Sequence, residues 1–316
     1  MERRPYCGYT VPVPPEARRL DPRQKEACTS RFIATDPIGY ERYVGRWSRR
    51  LAPLFAEFAG VGAGERVLDV GCGTGDLILT LAAANVAAAI GIDVAAPYIA
   101  YARRRTTDRT VTFEVGDALD LPYVDGVFDR ALSMLALDVM ADPGRALAEM
   151  RRVTRPGGVL AALVNDFRCG YAPFAMLLDT AAALDPRAGA VRDTLVSEPM
   201  RWPGGLAARF RAVELANVTE RRLSVLYEFT SFADYWSSFL AGQGTLGGYV
   251  MSLAERQRTE LERHVRAAYL CGMRDGPRAF TTWFWAVRGR VPDARGATDG
   301  ACSTSAEASA AVAMRL

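Results

Sequence analysis

One ten-residue run decides most of what this chain can become: Val67-Leu68-Asp69-Val70-Gly71-Cys72-Gly73-Thr74-Gly75-Asp76. Its first four residues, apolar except for Asp69, form a strand end buried on both faces. Three glycines in five positions then let the backbone turn tightly and approach a ligand that a Cβ would exclude. A helix over 76–84 follows, and a strand, a glycine turn and a helix in that order belong to α/β folds. A dinucleotide fold prefers G-x-G-x-x-G, with pyrophosphate on the helix N-terminus. Here the pattern is G-x-G-x-G, and Asp76 stands where that fingerprint has its third glycine. Carboxylates at Asp69 and Asp76 suit a ligand bearing an ammonium or sulfonium better than one bearing two phosphates.

The strand–helix rhythm continues along the chain. Strands are expected over 66–70, 88–92, 111–115, 128–134 and 159–164, with helices over 97–105 and 144–153 between them. Such alternation means right-handed crossovers and a largely parallel sheet covered on both faces. Ahead of it, Tyr43, Trp47, Leu51, Leu54 and Phe58 fall at three- and four-residue steps, an amphipathic helix. After 164 the rhythm loosens. Helices are expected near 172–183, 206–215, 232–240 and 252–269, with strands near 221–228 and 280–288. The long segment between those two strands forms a cap. The spacing divides the chain into a loose leader at 1–35, one domain at 36–290 and a disordered tail at 291–316. Cap insertions fall at about 166–220 and 229–276. The glycine run Gly242–Gly248 follows no strand and reads as a flexible hinge of the cap rather than a phosphate cradle.

Composition removes several function classes. The single histidine, His264, excludes a His-rich metal site, and a Ser-His-Asp triad unless His264 itself serves in it. It lies on the charged face of a helix and reads as a surface residue. Six scattered cysteines, without a C-x-x-C pair, indicate neither a zinc framework nor a redox dithiol, so no metal is expected. Cys72, inside the glycine turn, reads as a small tolerated side chain. Formal net charge is +3, too little for a dominant nucleic-acid-binding face. All basic residues but Lys25 are arginine, so Arg103-Arg104-Arg105 reads as a solvated helix face. No secretory signal is visible, and the uncharged stretch 77–92 is short for a membrane span. A cytoplasmic location, with no membrane or nucleic-acid partner, is expected.

The later acids sharpen the ligand. Asp93 and Asp117 end the second and third strands, at successive intervals of 24 residues from Asp69. In a parallel sheet the strand C-termini line one crevice, so the three carboxylates converge. One at Asp93 can accept both hydroxyls of a ribose, and one at Asp117 the exocyclic amine of an adenine. Singly, each could serve merely as a cap or turn former.

The runs VLDVGCGTGD, GIDV, VGDALDLPYVDGVFD and RRVTRPGGVL, over roughly residues 60–165, resemble the class I S-adenosylmethionine-dependent methyltransferases. The flanks YERYVGRWSR and FADYWSSFLAGQG resemble a bacterial small-molecule subgroup near the quinone-biosynthesis methyltransferases. The resemblance implies a Rossmann-like α/β fold, a mostly parallel seven-stranded sheet with helices on both faces and a helical cap. It implies S-adenosylmethionine as cofactor. Gly71, Gly73 and Thr74 would serve the methionine and sugar end, Asp93 the ribose, Asp117 and Ala118 the adenine, and Ser133 a further cofactor contact.

Methyl transfer from a sulfonium is an in-line displacement, so positioning in a dry pocket can account for most of the acceleration. A base is needed only for a hydroxyl, an acidic carbon or a protonated amine. The run after the fourth strand lacks the N/D-P-P-Y signature of nucleic-acid amine methylation. It offers Asp138 where relatives often carry histidine or asparagine, and Asp166 past the fifth strand is a second candidate. Asp138 also reads as a turn residue before Asp142-Pro143. Tyr40, Tyr43, Trp47, Tyr235 and Trp236 could wall an aromatic or apolar acceptor, or could be core. Methylation of a small molecule at oxygen, nitrogen or carbon is the expected activity. The alternatives are a catalytically silent cofactor-binding scaffold and a nicotinamide-dependent oxidoreductase, the latter disfavoured by Asp76.

Overall fold

In the computed structural model, seven strands pair into one sheet. They are β1 (Arg66–Val70), β2 (Ala88–Asp93), β3 (Val111–Val115), β4 (Phe128–Met134), β5 (Thr154–Asn165), β6 (Ala216–Phe229) and β7 (Arg278–Arg290). Their spatial order is β3-β2-β1-β4-β5-β7-β6. The first five run parallel, and β7 lies antiparallel between β5 and β6. The order reverses between β1 and β4, and ligands of open α/β sheets bind at such a switch point, outside the strand C-termini. The structure describes residues 32–293. The leader up to 31 and the tail beyond 293, with Cys7, Lys25, Cys28 and Cys302, lie outside the described residues.

Side-chain alternation in the strands builds two cores. On one face Val67, Ala161 and Leu163 pack with α2 (Arg46–Ala59), α3 (Asp76–Ala82) and α4 (Ala96–Arg103). On the other face Leu68, Val70, Leu160 and Ala162 pack with α5 (Pro143–Val153). The uncharged stretch at 77–92 is thereby divided between α3 and β2.

The leading helix starts at α1 (Pro37–Tyr40), where Asp36 caps the Ile38 N–H at 2.9 Å and Pro37 occupies the first turn. It continues through one wide turn, a π-helical segment at Glu41–Gly45, into α2. Steps of four from Tyr43 carry the buried stripe through Trp47 and Leu51 to Phe55, and Leu54 turns outward, 39% exposed.

Six further helices follow: α6 (Ala172–Leu184), α7 (Pro186–Ser197), α8 (Gly205–Ala212), α9 (Phe232–Leu240), α10 (Gly244–Ser252) and α11 (Glu255–Leu270), of which α8 packs beside α5 on the sheet's other face rather than in the expected cap. Helix α7 has no apolar stripe to reveal it, since only Ala188 and Leu195 are buried. Its start signal, Asp185 before Pro186, was present. The expected hinge at Gly242–Gly248 is instead the packed start of α10. A Cβ at Gly247 would stand 3.0 Å from the Gly242 carbonyl carbon, so glycine serves close approach there. Gln243 is buried beside it. Its Oε1 accepts from the Thr35 and Asp36 N–H groups and the Tyr98 hydroxyl at 3.0–3.2 Å. This ties residues 32–36 across the sheet's C-terminal edge, so the end of the expected leader is built into the domain. At the other end, Val291 still exchanges backbone bonds with Gly157 and Gly158, one residue past the expected boundary. Among the described residues, no helix is long and apolar enough to cross a membrane.

Candidate active site

The turn between β1 and α3 depends on its glycines. Gly71, Gly73 and Gly75 have φ of 76°, 54° and 93°, the left-handed region that side chains resist. A Cβ at Gly71 would lie 2.4 Å from the Ala136 Cβ, and one at Gly75 would lie 2.6 Å from the Phe113 ring. At Gly73 the nearest atom would be the Tyr40 hydroxyl at 3.6 Å, so its missing side chain leaves room. The N–H groups of Gly71 and Cys72 close the loop onto the Ile92 carbonyl. Cys72 is buried, and burial with the neighbouring Asp93 and Asp69 pushes its thiol well above the usual range, the opposite of a nucleophile's need.

The loop forms one wall of a cleft of about 490 Å³ lined by Gly71, Gly73, Asp93, Asp117, Ala118 and Tyr98, among others. Asp93 accepts from the Gly73 N–H at 2.9 Å and the Ala95 N–H at 2.8 Å. Burial raises its pKa against these two bonds, which lower it. Asp117 accepts from the Leu119 N–H through Oδ1. Two carboxylates, and no arginine, lysine or histidine, stand among the lining residues. A cleft of that charge fits a cationic, hydroxyl-bearing nucleoside and not a pyrophosphate.

Asp69, Thr74 and Ser133 do not line the cleft. Asp69 lies beneath the loop, 1% exposed, with Oδ1 unpartnered, and burial next to Asp93 pushes its carboxyl well above the usual range. The Thr74 hydroxyl is also buried without a partner. Ser133 is fully buried and donates to the Val70 carbonyl at 2.8 Å, so it fastens β4 to β1. Asp76 is likewise committed, its Oδ1 2.8 Å from Arg105 Nη2. The expected solvated arginine face holds for the exposed Arg103 and Arg104 and is corrected at Arg105. Arg105 also donates to the Thr74 carbonyl and so braces the glycine loop, while Arg103 donates to the Phe113 carbonyl and ties α4 to β3.

A second cavity of about 60 Å³ adjoins the first. Phe32, Tyr40, Leu135 and Val139 line both. Leu135, just past β4, holds φ of 63°, an uncommon conformation at the junction of the two spaces. Tyr43, Asp138, Asn165, Tyr171 and Arg201 line the smaller cavity. Asp138 is buried, not an exposed turn residue, and its Oδ2 accepts from Arg201 Nε at 2.8 Å.

Other expected site residues fall elsewhere. Asp166 Oδ1 accepts from the Arg168 and Cys169 N–H groups and holds the turn after β5, away from either lining. Trp47 stacks on Tyr227 with centroids 4.2 Å apart, the Tyr235 hydroxyl donates to the Pro173 carbonyl, and Trp236 stacks on Phe232. All three belong to the core. Asn165 was legible by counting in twos from Ala161 and Leu163 along β5. Arg201, in a single turn at Pro199–Arg201, carries no periodic signal.

A family described as a methyltransferase domain matches residues 68–162. A demethylmenaquinone methyltransferase of Renibacterium salmoninarum is 31% identical over 186 residues, 56% of this chain and 77% of that protein. The chain belongs to the class I S-adenosylmethionine-dependent methyltransferases. The O-methyltransferase cnsE of Penicillium expansum is 36% identical to this methyltransferase over 157 residues, 44% of this chain and 57% of that one. The chain spans about half the length of several such curated relatives. The YcgJ protein of Bacillus subtilis shares the fold of this chain with TM-score 0.52 and 18% identity, over 77% of this chain and 99% of that one.

Proposed function

We propose that this chain transfers a methyl group from S-adenosylmethionine to a small-molecule acceptor. The observation that carries the reading is the cleft at the switch point, walled by the left-handed glycine loop and by two carboxylates without a cation. When bound, S-adenosylmethionine supplies an electrophilic methyl on a sulfonium whose departure leaves a neutral thioether.

The chain's own residues bind, orient and exclude water. Gly71 and Gly73 leave backbone exposed where side chains would fill the cleft. Asp93 and Asp117 retain lone pairs for hydroxyl and amine donors, and Ala118 offers apolar surface beside them. Phe32, Tyr40, Leu135 and Val139 separate this space from the smaller cavity, which we assign to the reactive end of the acceptor. Proximity where the two spaces meet is the main source of rate. The relatives named above act, by their names, as an O-methyltransferase and on a demethylmenaquinone. Oxygen or ring-carbon acceptors are therefore the class to screen.

Calorimetric titration with S-adenosylmethionine and S-adenosylhomocysteine tests the reading, followed by a screen of phenols, quinols and amines for S-adenosylhomocysteine release. Micromolar binding with turnover is expected. Binding without turnover on any acceptor class would favour a silent scaffold, and no binding of either nucleoside would overturn the proposal.

A further inference from the structure

The smaller cavity contains polar groups that the fold leaves unfinished. Asp138 gives Oδ2 to Arg201, while its Oδ1 is shut from solvent and has no partner. Asn165, at the end of β5, likewise turns a buried and unpartnered Oδ1. Both residues line the same space. A buried acceptor left unmet is costly, and these two stand beside one cavity.

Charge selects among guests. The side chains of Arg201 and Asp138 are 5% and 1% exposed and pair at 2.8 Å, so as a unit they are neutral. The remaining lining is mostly aromatic or apolar, with Tyr43, Phe167, Tyr171 and Leu246. An ammonium would bring an uncompensated charge into that space, and an anion would face the free oxygen of Asp138. A neutral hydroxyl meets neither penalty and supplies the missing donor. At about 60 Å³ the cavity has room for a functional group, so selection acts on the acceptor's reactive end.

We infer that Asp138 Oδ1 accepts the O–H of a neutral, apolar acceptor of the phenol or enol type, that the Asn165 side-chain amide donates an N–H to the same oxygen, and that this oxygen is the atom methylated. The inference rests on the methyltransferase reading above. The O–H bond breaks with its proton passing to Asp138 Oδ1, and an oxygen lone pair forms the bond to the methyl carbon. The carbon–sulfur bond breaks with its electron pair kept by sulfur. Arg201 acts through Asp138 as a positioning residue. It is itself fixed by its bond to the Leu195 carbonyl at 3.0 Å and its seat over the Phe167 ring at 4.6 Å.

The test uses protein saturated with S-adenosylhomocysteine and three probes, phenol, anisole and benzylamine, their affinities read by ligand-detected NMR. Wild type is compared with Asp138→Asn and Asn165→Leu. Phenol is expected to bind at least tenfold more tightly than anisole or benzylamine, and each substitution to cut that preference to threefold or less. The polar partners of Arg201 are Asp138 and the Leu195 carbonyl, not Asn165, so the Asn165 variant decides the matter even where Asp138→Asn fails to fold. Equal binding of phenol and anisole, no binding of phenol, tighter binding of benzylamine, or an unchanged preference in Asn165→Leu would each overturn the inference. If wild type fails to bind S-adenosylhomocysteine at all, the methyltransferase reading falls first and takes the inference with it.

Discussion

Asp93 holds Gly73 by its backbone, accepting the Gly73 N–H through Oδ2 at 2.9 Å while Oδ1 accepts the Ala95 N–H at 2.8 Å. One carboxylate thus fixes the glycine loop of β1 against the turn after β2, with the cleft between. Asp93→Ala removes both bonds and the acid from the cleft wall. Hydrogen bonds to a charged group contribute roughly 1.5–3 kcal/mol each, so a stability loss of about 3–6 kcal/mol is expected in urea unfolding. In calorimetry, S-adenosylhomocysteine affinity falls at least 100-fold. Asp93→Asn keeps one acceptor and falls between. Unchanged affinity in the alanine variant would remove Asp93 from the binding site.

The three loop glycines have different neighbours, and their alanine variants separate accordingly. At Gly71 an added methyl meets the Ala136 Cβ at 2.4 Å on a strained backbone, so Gly71→Ala loses stability by several kcal/mol. At Gly73 the space is open, and only the left-handed backbone costs, about 1–2 kcal/mol. Gly73→Ala is therefore expected to fold, with its thermal midpoint lowered by a few degrees, and to bind S-adenosylhomocysteine at least tenfold more weakly. Wild-type affinity in folded Gly73→Ala would show that the ligand stays away from the loop.

The sheet was legible because each strand is an apolar run bounded by turn residues, and the switch point follows from the alternation. Residues whose backbones make the site were legible too, since Gly71, Gly73 and Asp93 are specified by conformation and strand position. Aromatics were not. Trp47 and Tyr40 sit on one continuous helix with the same helical periodicity, yet Trp47 stacks in the core on Tyr227 and Tyr40 faces both cavities. The partner across the space, from β6 or from the segment at 32–35, decides the difference, and no local pattern encodes it. Arg201 was invisible for the same reason, as it meets Asp138 across 63 residues of chain.

That Arg201–Asp138 pair makes a sharp stability prediction. Removing one partner of a buried pair leaves an uncompensated charge and costs about 3–5 kcal/mol. Arg201→Met should therefore destabilise strongly in chemical unfolding. Adding Asp138→Asn should restore a large part of that loss, because the orphaned charge goes with it. Losses that simply add in the double variant would mean that the two side chains do not act as a unit.

Asp76 supplies a pH signature. Burial raises its carboxyl to about 6, with Arg105 opposing and Glu41 reinforcing the rise. An acid whose folded pKa lies above its unfolded value of 3.8 favours the folded state at low pH, and that contribution is lost as pH climbs between the two values. The whole effect is at most about 3 kcal/mol, at 1.36 kcal/mol per pH unit. Asparagine mimics the neutral acid and keeps Arg105 its bond to the Thr74 carbonyl. The thermal midpoint of Asp76→Asn should therefore match wild type near pH 4 and exceed it by a growing margin toward pH 7. A variant that instead loses stability relative to wild type as pH rises would mean that Arg105 outweighs burial and that the carboxylate is a net stabiliser of the loop.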